Sequence, residues 1–379
     1  MDVLVLVVME KYKCAVIGCG RMGVANIDDK TLPFTYSFAG AILQNPKTEL
    51  AALVDTDANK VHPLGKRFNV PTYTDFRDML YEIKPNIVCC AAGPDVNSKV
   101  IHKAAGNVKG IYCEKPLVLS LKEADELAEL EKKSSTKMQV NYLRNYDVCH
   151  RAVIDYIRQG KIGNLQTVRT TYCGGVMSVF PHTTALLSKL FDKPVSVSGV
   201  TSPIANLSTR TDPNIDGVIR YHFAPQNRDV NVQILATGRG KDENNTYIYE
   251  LEFTGSKARI SIKENGWRIE YEEMLPSRVF KRYETHPFRV DRIPPELMTD
   301  VPREFMIEGL QSLITAIENG KNTECSLAQA RDAEEIAHAL AISAVQEGKI
   351  INLPLEDRAH AFANAIAGID VLQRQAGLK

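Results

Sequence analysis

The chain has 379 residues with 46 basic and 46 acidic side chains, a formal net charge of zero and a pI near 7.1. That length holds two or three domains with a sizeable core, and the balanced charge excludes the basic stripe that nucleic-acid binding requires. Charged residues, 24% of the chain, are well mixed and no apolar run reaches membrane-span length, so a soluble globular protein with no membrane partner is expected.

The start, Met1 to Met9, has a short apolar run but no basic region before it and no small-residue cleavage site after it. A signal peptide is therefore not expected, and translation from Met1 or from Met9 fits equally. Eight cysteines, at 14, 19, 89, 90, 113, 149, 173 and 325, show neither a C-x-x-C pair nor metal-ligand spacing. They are expected to be buried thiols of a cytoplasmic protein, with no metal.

Cys14–Ile17 predicts a short strand that runs into Gly18-Cys19-Gly20-Arg21-Met22-Gly23. This G-x-G-x-x-G predicts a tight turn at Gly18, close approach of Gly20 to a pyrophosphate, and close helix packing at Gly23. Free N–H groups of the following helix start, around Arg21 and Met22, complete an anion cradle. The next strand, Leu50–Val54, ends in Asp55, whose carboxylate can accept both ribose hydroxyls and repels a 2′-phosphate. NAD is thus expected over NADP; the plainer alternative is that Asp55 caps the helix starting near Ala58. Asp55 lies 32 residues after Gly23, beyond the usual spacing of about 20. An inserted loop over Asp28–Tyr36, followed by a helical piece Ser37–Gln44, is expected to take up the excess.

Further strands are read at Ile87–Ala92, Gly110–Cys113 and Met138–Val140, with helices at Lys60–Phe68, Asp75–Glu82, Val96–Ala105 and Leu121–Lys133. The alternation predicts a doubly wound parallel sheet. Ligands bind such a sheet beyond the carboxyl ends of its strands. That rim holds Ala92-Gly93-Pro94 with Asn97 nearby, and Glu114-Lys115-Pro116. Lys115 before a proline is fixed in extended geometry, and the bond can be cis. The alternative for Glu114-Lys115 is a solvated charge pair.

After a helix at Asp147–Arg158 the pattern changes. Strands are expected at Asn164–Thr171, Val195–Thr201, Gly217–His222, Val230–Ala236, Tyr247–Phe253, Ala258–Ile262 and Trp267–Glu272, with one helix at Thr183–Leu190. Alternation and short turns predict a large, mostly antiparallel sheet. Ser277–Pro302, rich in Arg and Pro, reads as a long loop. Helices at Glu304–Glu318 and Leu327–Val345 follow, then an Ala-rich helical tail from Glu356 to Leu372. The expected division is a dinucleotide-binding domain over 11–140, a substrate and oligomerisation domain over 141–355, and a tail over 356–379.

With Cys113-Glu114-Lys115-Pro116, Val140-Asn141-Tyr142-Leu143-Arg144, and Gly174-Gly175 leading to His182, the chain resembles the Gfo/Idh/MocA oxidoreductases from Lys13 to Pro354. The resemblance implies a Rossmann domain followed by an α/β domain with an open sheet. It also implies hydride transfer between a nicotinamide and a secondary alcohol or ketone of a sugar, cyclitol or sugar nucleotide. By resemblance Lys115 is the catalytic lysine, suited to exchange a proton with a hydroxyl, and His182 assists at the reacting oxygen. Asn141, Arg144, Asn145 and Tyr146 match a region that lines the substrate pocket, and Tyr172 with Cys173 is expected to face it. The family often has an aspartate four residues before the histidine, where this chain has Ser178, and a histidine in the loop after the fourth strand, where Gly93–Ser98 has none. A redox-neutral use of NAD and a non-enzymatic NAD-binding role are the rival expectations. The open sheet is expected to pair copies of the chain as a homodimer or homotetramer.

Overall fold

The computed structural model of the chain describes residues 10–201, 212–237, 248–276, 286–289 (backbone only), 293–297, 303–359 and 368. The first nine residues, most of the expected tail and most of Ser277–Pro302 lie outside them. The described chain divides into two compact units. One comprises residues up to Leu119, Glu123–Tyr146 and Glu304–Ala328; the other comprises Ser120–Lys122, Asp147–Arg303 and the residues from Gln329 on.

The first unit is built on strands β1 (Tyr12–Ile17), β2 (Thr48–Val54), β3 (Thr72–Tyr73), β4 (Ile87–Cys90), β5 (Gly110–Cys113) and β6 (Lys137–Val140). They form one sheet in the order β3-β2-β1-β4-β5-β6, all parallel. This order reverses at β1/β4, the topological switch point where doubly wound sheets bind ligands. The strands are continuous apolar runs because both faces are covered; Cys14–Val16, Leu53, Ile87–Cys90 and Ile111–Cys113 are fully buried. β3 is only two residues long, too short to carry a period.

Helices α1 (Phe38–Gln44), α2 (Ala58–Phe68), α3 (Phe76–Ile83), α4 (Pro94–Ala104) and α5 (Leu121–Lys133) connect the strands. Ser37, Asp57 and Asp75 cap α1, α2 and α3 through side-chain oxygens that accept N–H bonds, each worth about 1 kcal/mol. Asp57, not Asp55, thus caps the helix after β2. The extra residues between Gly23 and β2 form a short 3-10 turn, Ala25–Asp28, and a loop leading to Ser37.

The expected domain boundary differs from the described one. Helix α8 (Phe305–Asn319), which follows α6 (Val148–Arg158) and α7 (Pro181–Leu187) of the second unit, packs in the first. Gly110 lies under Leu313 and Ile317, and the Tyr112 hydroxyl meets Gly309, where a side chain would collide at 2.1 Å. Gln139 donates to the Gly309 carbonyl at 2.7 Å. The apolar face of α8 packs on β5 and β6.

The second unit carries β7 (Leu165–Cys173), β8 (Pro194–Thr201), β9 (Ile215–Phe223), β10 (Arg228–Ala236), β11 (Ile248–Gly255), β12 (Ala258–Lys263), β13 (Arg268–Leu275), β14 (His286–Arg289) and β15 (Ile351–Asn352). Their order is β14-β13-β12-β11-β7-β10-β9-β8-β15. Only β7 and β10 pair in parallel; the other pairs are antiparallel. β14 lies inside the stretch expected to be a loop. Helices α6 (Val148–Arg158), α7 (Pro181–Leu187) and α9 (Leu327–Val345) contribute to a core that includes Val153, Leu186, Ile219, Phe253 and Leu340. Among the described residues no helix is long and apolar enough to cross a membrane.

Candidate functional site

The glycine loop is shaped by close contacts. Gly18, at φ 87°, abuts the Ala91 carbonyl, which a Cβ would meet at 2.6 Å. Gly23 faces the Gly18 carbonyl so closely that a Cβ would sit 1.8 Å from it. Gly20 has nothing within 4 Å of where a Cβ would stand. Two glycines are therefore required by the fold, and the third leaves open space. That space has the form a diphosphate needs to reach main-chain N–H groups.

Asp55 closes the loop from β2. Its Oδ2 accepts the Cys19 N–H at 2.8 Å and the Lys60 ammonium at 2.9 Å, and Oδ1 accepts the Asp57 N–H at 3.1 Å. Burial pushes its carboxyl up, but these donors outweigh that and hold it below the usual range. An ionised carboxylate beside the glycine turn fits the ribose of NAD. Cys19 is inert here: burial, with Asp55 nearby, raises its thiol to about 12.

The rim after β4 and β5 is tied together by Asn97. Asn97, expected to contact the cofactor, also has a task within the fold. Asn97 is fully buried, and Nδ2 donates to the carbonyls of Glu114, Pro116 and Leu117 at 3.0, 3.1 and 3.1 Å. It thus holds the loop that carries Lys115, whose bond to Pro116 is cis. Ala92 and Gly93 precede α4, with Gly93 at φ 100° and Pro94 as the first helical residue. Glu114 accepts from Asn141 Nδ2 at 2.5 Å and faces the Lys115 N–H at 3.3 Å. Burial raises its carboxyl, against the Asn141 bond and the Lys115 charge. Asn141 in turn accepts the Tyr112 hydroxyl at 2.7 Å. Glu114, whose Oε2 faces the Lys115 N–H, thus ends a polar chain Tyr112–Asn141–Glu114.

Two tyrosines expected at the substrate have their hydroxyls on backbone groups. Tyr146 is fully buried and donates to the Val140 carbonyl at 2.6 Å. Tyr172, equally buried, donates to the Ile215 carbonyl at 3.2 Å and accepts the Ile215 N–H at 2.7 Å. Cys173 is buried as well. These rings build the cores of their own units. Asn141 and Arg144 are buried in the first unit. Asp147 is fully buried in the second unit, against His150 and, at 3.6 Å, Arg303.

His182 sits on α7, 6% exposed, in a helix buried along its length. The turn before it starts at Gly174-Gly175, at φ 121° and 100°. Asp212 accepts the N–H groups of Met177 and Ser178 at 2.9 and 2.8 Å. Asn214 Oδ1 accepts those of Gly174 and Gly175 at 3.1 and 2.8 Å. Sequence reading found neither residue, because the bonds join segments some 35 residues apart. Among the described residues no cluster of three or more His, Cys, Asp or Glu side chains could hold a metal.

Residues 12–142 match a family model described as an oxidoreductase family with an NAD-binding Rossmann fold. Over those residues the chain is similar to the Gfo/Idh/MocA oxidoreductases. An inositol 2-dehydrogenase/D-chiro-inositol 3-dehydrogenase of Lacticaseibacillus casei is 30% identical over 163 residues, 42% of this chain and 44% of that protein. A scyllo-inositol 2-dehydrogenase (NAD(+)) of Bacillus subtilis is 26% identical over 154 residues, 40% of this chain and 42% of its own. The matched part thus spans about two fifths of the length of these curated relatives. By structure the likeness extends further. A myo-inositol 2-dehydrogenase from Lactobacillus plantarum superposes with TM-score 0.65 at 20% identity over 90% of this chain and 99% of its own. A levoglucosan dehydrogenase complexed with NADH and L-sorbose does so with TM-score 0.69 at 18% identity over 91% and 100%. At such identities the likeness shows the fold, and it includes the antiparallel second unit. The Rossmann unit fits NAD on this chain's own geometry: open space at Gly20 and an ionised Asp55 beside the glycine turn.

Proposed function

We propose that the chain is an NAD-dependent dehydrogenase or reductase acting on a secondary alcohol or ketone of a sugar, cyclitol or sugar nucleotide. The observation that carries this reading is the seat of Lys115. It lies at the carboxyl end of β5, next in the sheet to β4 with its Gly93 turn, and its loop is fixed by three bonds from one buried asparagine. NAD, when bound, supplies the hydride acceptor. Lys115 takes the proton of the reacting hydroxyl and returns it in the reverse direction. Glu114 and Asn141 orient the lysine's main chain and give it a partner of opposite sign. His182 carries the assisting role at the reacting oxygen that the family resemblance implies. The inositol and sugar dehydrogenases among the relatives support a ring polyol as substrate.

The same reading places the protein in the cytoplasm as a homodimer or homotetramer. Its support is the second unit's sheet, where Val195, Val200, Val218 and Leu235 are each more than a third exposed. The test of function is reduced-cofactor absorbance with NAD and a panel of sugars, cyclitols and sugar nucleotides. Turnover with one class is expected, and Lys115→Ala should lower it by about 10²–10⁴ while NAD binding survives. Undiminished turnover in that variant would refute the role of Lys115. Product formed without a matching equivalent of free NADH would favour the redox-neutral reading.

A further inference from the structure

The turn that precedes α7 is held by one short segment, Asp212-Pro213-Asn214. Besides the four bonds from Asp212 and Asn214, the Pro213 carbonyl accepts the Val176 N–H at 2.8 Å. Beyond the clamp the backbone runs on in helical turns: the Val179 and Phe180 N–H groups reach the Gly175 carbonyl, and the His182 N–H reaches that of Val179. Ser178 is exposed and His182 buried, and the two stand one helical turn apart. Gly175 is glycine because the Asp212 carboxylate occupies its side-chain side, where a Cβ would sit 2.1 Å from Oδ2.

We propose that Asp212 is the positioning residue of the His182 turn and the source of its negative charge. This rests on the reading of His182 given above. The argument for charge comes from the clamp itself. Asn214 satisfies two adjacent N–H groups with a neutral amide oxygen, so satisfying N–H groups here does not require a carboxylate. Two residues earlier a carboxylate does the same for the next two free donors. Charge-assisted bonds of this kind are roughly twice as strong as neutral ones. Asp212 is only partly buried and Ser178 is exposed, so the charge stands on the open side of the turn. A carboxylate bonded to the turn that leads to His182 favours the protonated, hydrogen-bond-donating form of the imidazole.

The test uses the full chain, with NAD and the ring polyol that the wild-type protein turns over fastest, and compares Asp212→Asn, Asp212→Ala and Asp212→Asn with Ser178→Asp. Asn keeps one acceptor and removes the charge; Ala removes both; the added aspartate restores a carboxylate on the same turn. The expected result is a fall in kcat of about tenfold or more in Asp212→Asn, with NAD affinity within twofold, and recovery of most of the loss in the double variant. Unchanged kcat in Asp212→Asn and Asp212→Ala overturns the proposal. Loss confined to Asp212→Ala overturns the charge and leaves a plain clamp. If the wild-type protein turns over no polyol, the functional reading fails separately. Amide hydrogen exchange over residues 174–182 then decides: faster exchange in Asp212→Ala upholds positioning, and unchanged exchange overturns it.

Discussion

The glycine loop makes a prediction that separates folding from cofactor binding. Gly20 and Gly23 are three residues apart and both belong to the motif, yet their surroundings differ. A methyl group at 23 would stand 1.8 Å from the Gly18 carbonyl oxygen. Ordinary contact needs over 3 Å, so the backbone would have to move by more than an ångström. That carbonyl belongs to a residue whose N–H is bonded to Val54 at 2.8 Å, so the movement is resisted. Overpacking of this kind costs about 1–3 kcal/mol, or more. A methyl group at 20 meets nothing within 4 Å, and Gly20 is not among the residues at positive φ. Gly20→Ala should therefore leave the apo protein as stable as wild type, or more stable by about 0.4–1 kcal/mol. With NAD the order inverts: the methyl group fills the space the diphosphate needs, and about 1–3 kcal/mol of binding should be lost, roughly 5- to 150-fold in Kd. Thermal unfolding without cofactor and calorimetric titration with NAD read the two quantities. Wild-type NAD affinity in Gly20→Ala, or equal destabilisation by the two variants, would refute the reasoning.

Glu131 accepts the Leu327 N–H at 3.0 Å, and burial raises its carboxyl to about 7, against bonds from Leu327 and Ala328. A raised carboxyl stabilises the folded state fully below the unfolded value and loses that contribution as pH rises through about 7. At about 1.4 kcal/mol per unit this is at most about 3.5 kcal/mol. The stability difference between wild type and Glu131→Gln should accordingly change across pH 4.5–8 in urea titrations; a constant difference would contradict it. Asp147 behaves oppositely. Burial raises its carboxyl, but His150, Arg303 and the Cys149 N–H bring it below the usual range. Its contribution is present above the unfolded carboxylate value and is lost as pH falls through the folded one. Asp147→Ala leaves Arg303 and His150 as uncompensated buried partners and should cost about 3–5 kcal/mol in chemical denaturation at neutral pH; a loss under 1 kcal/mol would contradict it.

The Rossmann unit was legible because its signals are local. Five strands of four to seven residues, the spacing of Gly18, Gly20 and Gly23, and an acid at the end of β2 can be read without knowing any partner. The placement of Lys115 before a proline at a strand end was legible for the same reason. What escaped the sequence is what depends on distant segments. β3 has two residues and exists because β2 offers an edge. β14 is held by pairing with β13, in a stretch with no period of its own. Tyr146 and Tyr172 look like pocket residues by type, but the backbone groups that take their hydroxyls lie in other segments. The Asp212–Asn214 clamp follows the same rule, and so does Asn97, whose three acceptors begin 17 residues further on.

The return of α8 to the first unit bears on how the chain is made. β5 and β6 are complete once residue 140 has been synthesised, but the helix that covers Gly110 and Tyr112 begins at Phe305. At roughly 5–20 residues per second, some 10–30 s pass before that helix leaves the ribosome. Throughout that interval β5 and β6 lack the cover that α8 gives them, and the Asp147–Arg303 part of the second unit is synthesised meanwhile. The N-terminal unit is thus contiguous in function and discontinuous in assembly. An excised version ending at Tyr146 would keep every residue assigned here to NAD and still lack the piece that keeps its sheet from sticking to others.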